Sequence, residues 1–341
     1  MRQIEITEKT KLLTPEGAVA SPGWARADHY VYNRENIRAN PARIKEWDFY
    51  QFEDRRYTIQ ITFADISIAG GAVFCIFDRE TGEKLQVLSP SLLTFGRMGL
   101  PADDSVPHTL KKSSPGFRIE LNASNKARAF MLDAISPKGK IHAELRANIP
   151  QPNEFLEMAV PFDDPTRFYL NKKMNCMPAS GFVKIGGRMI ALDTETAFCV
   201  LDHGRGVWPY HEQWWWGNGS TRLPDGRLFG FEIGWGFGKM EAFTENTLFI
   251  DRRVHKIGNL YLDVDTSDYM KPWVFTSDDG RFNLTMTPKY DNRGGRIIPG
   301  LLGSITHQVH GLWNGYVIAD DGERIDINNM IAFCEHCDNK W

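Results

Sequence analysis

The chain has 341 residues, 42% hydrophobic and 24% charged, with a formal net charge of −3. That length predicts two domains large enough to bury cores without disulfide or metal staples. The near-neutral balance excludes a basic nucleic-acid-binding module. Residues 1–11 lack an apolar run, and no window approaches the roughly 18 uninterrupted apolar residues of a membrane span. Neither a signal peptide nor a span is expected. Cys75, Cys176, Cys199, Cys334 and Cys337 are odd in number and scattered, so the expected setting is reduced and cytoplasmic.

Helical signals are few. Residues 33–45 suggest a short helix capped by Asn33 and broken by Pro41. Strand signals then dominate. Tyr57, Ile59, Ile61 and Phe63 alternate with Thr58, Gln60 and Thr62. The same period of two recurs at Phe117–Ile119–Leu121, Ile141–Ala143–Leu145 and Phe282–Leu284–Met286, as half-buried antiparallel strands require. Turn dipeptides separate such runs, among them Thr81-Gly82, Lys138-Gly139, Asp225-Gly226 and Asp279-Gly280. Many short strands without long helices predict an all-β protein.

Residues 181–199, GFVKIGGRMIALDTETAFC, are echoed by residues 315–334, GYVIADDGERIDINNMIAFC. Each starts Gly-aromatic-Val, passes a Gly turn and ends Ala-Phe-Cys. The echo predicts two similar units, 1–216 and 217–341, each closing on this hairpin.

Candidate chemistry concentrates in residues 202–217, DHGRGVWPYHEQWWWG. Asp202, Arg205, Tyr210, His211 and Glu212 lie among Trp208, Trp214 and their neighbours. Carboxyls desolvated by aromatics suit general acids, and aromatic faces stabilise cations. The structural reading is a barrel junction, with Arg205 buried against Asp202. Trp47 in RIKEWDFY and Asp65 in ITFADISIAGG are further candidates; Asp65 also fits a turn or bulge. Cys334 and Cys337 have metal-ligand spacing, but no second pair completes a zinc site, and His307 and His310 are awkwardly spaced on a strand. No metal or cofactor is expected.

The blocks LLTPEGAVASPGWARADHYVYN, RIKEWDFY, DHGRGVWPYHEQWWW and FCEHCDNKW resemble domain-of-unknown-function family 2804 across nearly the whole chain. That family is similar to carotenoid 1,2-hydratase, tocopherol cyclase and AttH-like proteins of the calycin group. The resemblance implies two tandem lipocalin-like antiparallel β-barrels. It also implies cofactor-free, acid-catalysed hydration, cyclisation or isomerisation of an isoprenoid-like or polycyclic molecule. The hydratase relatives carry Trp-x-Asp-x-Glu-Trp. Here Trp208 and Glu212 match, Tyr210 stands at the acidic position, and one residue is inserted before Trp214. Asp202 or Glu212 is then the expected acid. Tyr210 and His211 orient it or relay its proton, Arg205 tunes it, and Trp47, Asp65, Trp208 and Trp214 line the ligand. The alternative is a non-catalytic carrier of a small hydrophobic molecule, with Asp202 and Arg205 paired structurally.

Overall fold

The computed structural model describes residues 3–297 and 303–340. The alternating runs become strands of two large antiparallel sheets. The first runs Lys84–Leu92, Ala69–Asp78, Tyr57–Asp65, Lys45–Glu53, Phe198–Val207, Phe168–Ile185, Gly139–Asn148, Ala127–Ser136, Phe117–Ala123, His108–Ser114. The second runs Arg253–Lys256, Thr247–Ile250, Leu228–Trp235, His211–Arg222, Arg324–Lys340, Gly303–Ile318, Phe282–Ile297, Trp273–Ser277, Leu260–Asp263.

Both sheets follow one plan. A meander leads off, and the last strand of the unit returns to pair with its first. Leu201 thus lies opposite Tyr50 in one sheet, and Cys334 opposite Gly217 in the other. The echoed segments end on these two closing strands, so the repeat in the sequence is a repeat in topology. In the first sheet the Lys84–Leu92 strand lies against the strands at the far end of the path, which nearly closes a barrel. The second sheet is a half-barrel, its two end strands joined through residues 257–259. This is the expected all-β, lipocalin-like pair.

Alternation places the core. Tyr50, Phe52, Ile59, Ile61 and Phe63 point into the first barrel with Phe130 and Leu201. Phe231, Phe282, Trp313 and Cys334 fill the second. A third cluster lies between them and includes Trp24, Tyr169, Trp208, Phe237 and Phe243. Trp208 is fully buried there, its ring edge-on to Trp47 and Phe237. Truncating it to alanine is expected to cost about 3–5 kcal/mol, the range for deleting a buried Trp. Because the cluster draws on both sheets, urea unfolding of W208A should show separate transitions for the two barrels, where the wild type unfolds in one.

One expectation is corrected. Residues 33–45 do not form a helix. Asn33 caps a short 3-10 turn, Arg34–Asn36, and Asn40 caps a second, Pro41–Arg43. The Asn40-Pro41 pair restarts the chain, since a residue before proline disfavours helical backbone, and Lys45 already begins a strand. The division at 216/217 falls inside the His211–Arg222 strand, and the chain changes sheets at residues 208–210. Among the described residues no helix is long and apolar enough to cross a membrane.

Candidate active site

The strands that face each other across the junction turn one side of their alternation into their own barrel and the other toward the neighbouring barrel. On Phe198–Val207, Leu201, His203 and Arg205 share the inward parity, and Asp202 and Gly204 the outward one. On Lys45–Glu53, Asp48 and Tyr50 point in, and Trp47 and Phe49 point out. The outward side chains line a cavity of about 450 Å³ between the barrels. Trp47, Phe49, Tyr169, Lys173 and Asp202 come from the first unit; Trp214, Trp216, Phe237, Glu245 and Glu335 come from the second.

Two glycines make room for this lining. A Cβ on Gly204 would stand 2.5 Å from the Trp47 ring, and one on Gly234 would stand 2.4 Å from the Glu245 carboxyl group. Any larger residue at either position would push a wall of the cavity inward.

The deep end is organised around Lys173, whose ammonium lies 3.2 Å from Asp202 Oδ1 and 3.5 Å from both Glu232 Oε1 and Glu245 Oε1. It also sits over the Trp216 ring, 4.0 Å from its centroid. Burial opposes its charge, but the three carboxyl groups outweigh burial and raise its pKa. Glu232 and Glu245 are pushed up, chiefly by burial. Asp202 is fixed from two further sides: Trp47 Nε1 donates to Oδ2 at 3.0 Å and Asn171 Nδ2 to Oδ1 at 2.5 Å.

Glu335 stands apart from that cluster. Trp214 Nε1 donates to its Oε1 at 3.0 Å and Gln308 Nε2 to its Oε2 at 3.2 Å. Burial raises its pKa to about 7, against the opposing pull of Trp214, Lys173 and Gln308. The cavity therefore combines a carboxyl group that keeps much of its proton near neutrality, a second one held beside a lysine, and indole faces between. That set can give a proton to an apolar molecule and receive one from water.

The sequence-derived candidates divide. Asp202, Trp47 and Trp214 line the cavity. Arg205 does not, because an odd sequence separation puts it on the opposite face from Asp202. It lies inside the first barrel, 2.9 Å from Asp48, which His203 also meets at 2.8 Å. Burial would raise the Asp48 carboxyl group, but Arg205 and His203 outweigh it and hold its pKa at about 2. The expected Arg205–Asp202 pair is thus replaced by Arg205–Asp48 and Lys173–Asp202. Tyr210, His211 and Glu212 lie outside the lining. Tyr210 is 43% exposed, and His211 Nε2 contacts Asp338 Oδ1 at 2.8 Å on the surface. Burial raises the pKa of Glu212, which sits opposite Asn339 on the neighbouring strand. Trp208 packs behind Trp47 in the junction core.

Asp65 is a loop anchor. Its carboxyl group accepts from Ser67 N and Thr94 Oγ1 on one oxygen and from Gly96 N and Met98 N on the other. With these bonds filled it has no capacity left for a ligand. Among the described residues one acidic trio has ligand spacing, Asp28, Asp103 and Asp104. Lys172 Nζ already sits in it, 2.6 Å from Asp28. Cys334 is buried in the second core, and Cys337 Sγ lies 3.3 Å from Thr306 Oγ1.

Sequence reasoning missed Lys173, Glu232, Glu245 and Glu335. A signal for Glu335 existed in parity: Met330, Ala332 and Cys334 face the second core, so Glu335 had to face the other barrel.

A nearly closed β-barrel and a half-barrel, with an aromatic, carboxyl-bearing cavity between them, define a two-sheet, all-β protein. The chain belongs to the family DUF2804, a domain of unknown function, whose model matches residues 3–341. Among solved structures it is similar to kievitone hydratase from Nectria haematococca, with a TM-score of 0.51 and 10% identity over 97% of this chain and 98% of that one. It is also similar to an AttH-like protein from Nitrosomonas europaea, with a TM-score of 0.46 and 13% identity over 89% of this chain and 95% of that one. No curated protein matches it in sequence.

Proposed function

We propose that this protein is a cofactor-free hydratase acting on a carbon–carbon double bond of a small hydrophobic molecule bound between the barrels. The observation that carries the reading is Glu335, a buried cavity carboxyl group with a pKa of about 7, sharing the cavity with the Lys173–Asp202 pair. The protonated Glu335 transfers its proton to one alkene carbon, leaving the other as a carbocation. The faces of Trp47 and Trp214 stabilise that cation, the Trp216 ring being already covered by the Lys173 ammonium. A water oxygen bonds to it, and Asp202 takes the proton that water gives up. Proton return from Asp202 to Glu335 through solvent closes the cycle, so the net change is addition of one water. An internal hydroxyl in place of water would give cyclisation by the same acid. That a hydratase adopts this fold adds support. The titratable pair at the cavity favours catalysis over carriage, since an inert apolar carrier gains nothing from buried charge.

The test is native mass spectrometry of the purified protein with any co-purifying apolar ligand, before and after incubation. Gain of one water by that ligand supports hydration. A ligand that stays bound with mass and retention time unchanged overturns it in favour of a carrier.

A further inference from the structure

The cavity changes chemistry along its length. Its buried end holds Tyr169, Trp216, Phe237, Lys173, Asp202 and Glu245. The opposite end is built from Thr62 and Lys84 of the first barrel and Asn292, Ser304 and Thr306 of the second. Lys84 is exposed, and Ser304 and Thr306 are partly exposed, so this end meets solvent.

Lys84 Nζ donates to Asn292 Oδ1 at 2.7 Å, across from one barrel to the other. An ammonium has three donors, and among the described residues no carboxyl group forms an ion pair with this one. The contrast with Lys173, which has three such partners, is direct. The adjacent Glu83 is turned away toward Lys138 and Arg188. Ser304 Oγ and Thr306 Oγ1 lie 3.3 Å apart on the facing strand, and Cys337 Sγ lies 3.5 Å from the first and 3.3 Å from the second, so each hydroxyl must turn its proton from these neighbours to donate to a ligand. The solvent end of the cavity therefore presents a cation with no ion-pair partner among the described residues and two hydroxyl groups, while the buried end presents aromatic rings around the self-compensated Lys173–carboxyl cluster.

We propose that this end is a head-group subsite, and that the substrate is an amphiphile carrying a carboxylate. The carboxylate bonds Lys84 and the Ser304 and Thr306 hydroxyls, and the apolar, unsaturated tail runs inward to Glu335 and Asp202. The assignment rests on the reading of the cavity as the substrate site. It adds polarity and orientation to that reading: the reacting double bond lies in the tail, on the far side of the Asn292–Gln308 pair that links Lys84 to Glu335 by hydrogen bonds.

Retinoic acid and its methyl ester are suitable probes, equal in tail and different in charge, read by quenching of tryptophan fluorescence in the full chain. The wild type should bind the acid about tenfold more tightly than the ester, as expected for one partly desolvated charge-assisted contact. K84Q should erase that preference while leaving ester affinity unchanged, and added salt should weaken only the acid. An exposed lysine leaves the fold intact when replaced. Equal binding of both probes by the wild type, or an acid preference that persists in K84Q, overturns the head-group subsite and leaves the hydratase reading standing. Absence of binding by either probe overturns both.

Discussion

Replacing Glu335 with glutamine is expected to lower turnover by about 10²–10⁴-fold, the usual contribution of a positioned general acid. Glutamine retains an acceptor for Trp214 Nε1 but has no proton to give. In the wild type the acid form is the active one, so activity should fall as pH rises through about 7, where Glu335 loses its proton. Stability should move the opposite way. The folded pKa of Glu335 lies above its ordinary carboxylate value, so its favourable contribution is complete below pH 4.5 and is lost as pH rises through about 7. E335Q should therefore match wild-type stability in acid and exceed it at pH 8, by on the order of 3 kcal/mol for full ionisation of a buried group. Urea denaturation at the two pH values checks this. A variant both slower and sturdier is the mark of a carboxyl group kept buried for chemistry. Unchanged turnover in E335Q would remove Glu335 from the mechanism.

Lys173→Met is expected to be strongly destabilising, by about 3–5 kcal/mol, because it strips the cation from buried acid groups while leaving them in place. Adding E245Q should recover part of the loss, since one fewer acid group then lacks its counter-charge. A second readout separates structure from chemistry. Lys173 lowers the Glu335 pKa, so in K173M the alkaline fall in activity should move to higher pH. A pH profile of the folded fraction measures this shift, and an unmoved profile would show that the two groups are uncoupled.

The fold was legible because antiparallel strands write their burial into the sequence with a period of two. Ile59, Ile61 and Phe63 announce an inward face, and the Ala-Phe-Cys echo announces a second unit. The site was legible only in part, for the same reason. Trp47, Asp202 and Trp214 stand out because charge and indole are rare neighbours in a strand. Arg205 stands out equally but lies on the other face, and treating residues 202–217 as one cluster ignored the alternation that separates them. The C-terminal segment was read for its cysteines and histidine, which drew attention from the glutamate between them. Lys173, Glu232 and Glu245 lie on different segments and meet only when two sheets pack outer face to outer face. No spacing in the chain encodes that meeting.

The closing strand of the second barrel has a consequence for the order of folding. Glu335 rides on Arg324–Lys340, which pairs with His211–Arg222, so the contact spans more than a hundred residues of chain. Such non-local pairing is slow, and its second partner is synthesised more than a hundred residues after its first. The first barrel, whose own closing strand ends at Val207, can form while the second is still incomplete. Phe49 on its outer aromatic face then stands open as an adhesive surface until Trp216 of His211–Arg222 packs on it. That covering strand and the strand that carries the acid are hydrogen-bonded neighbours, so protection from aggregation and catalytic competence are built by one pairing.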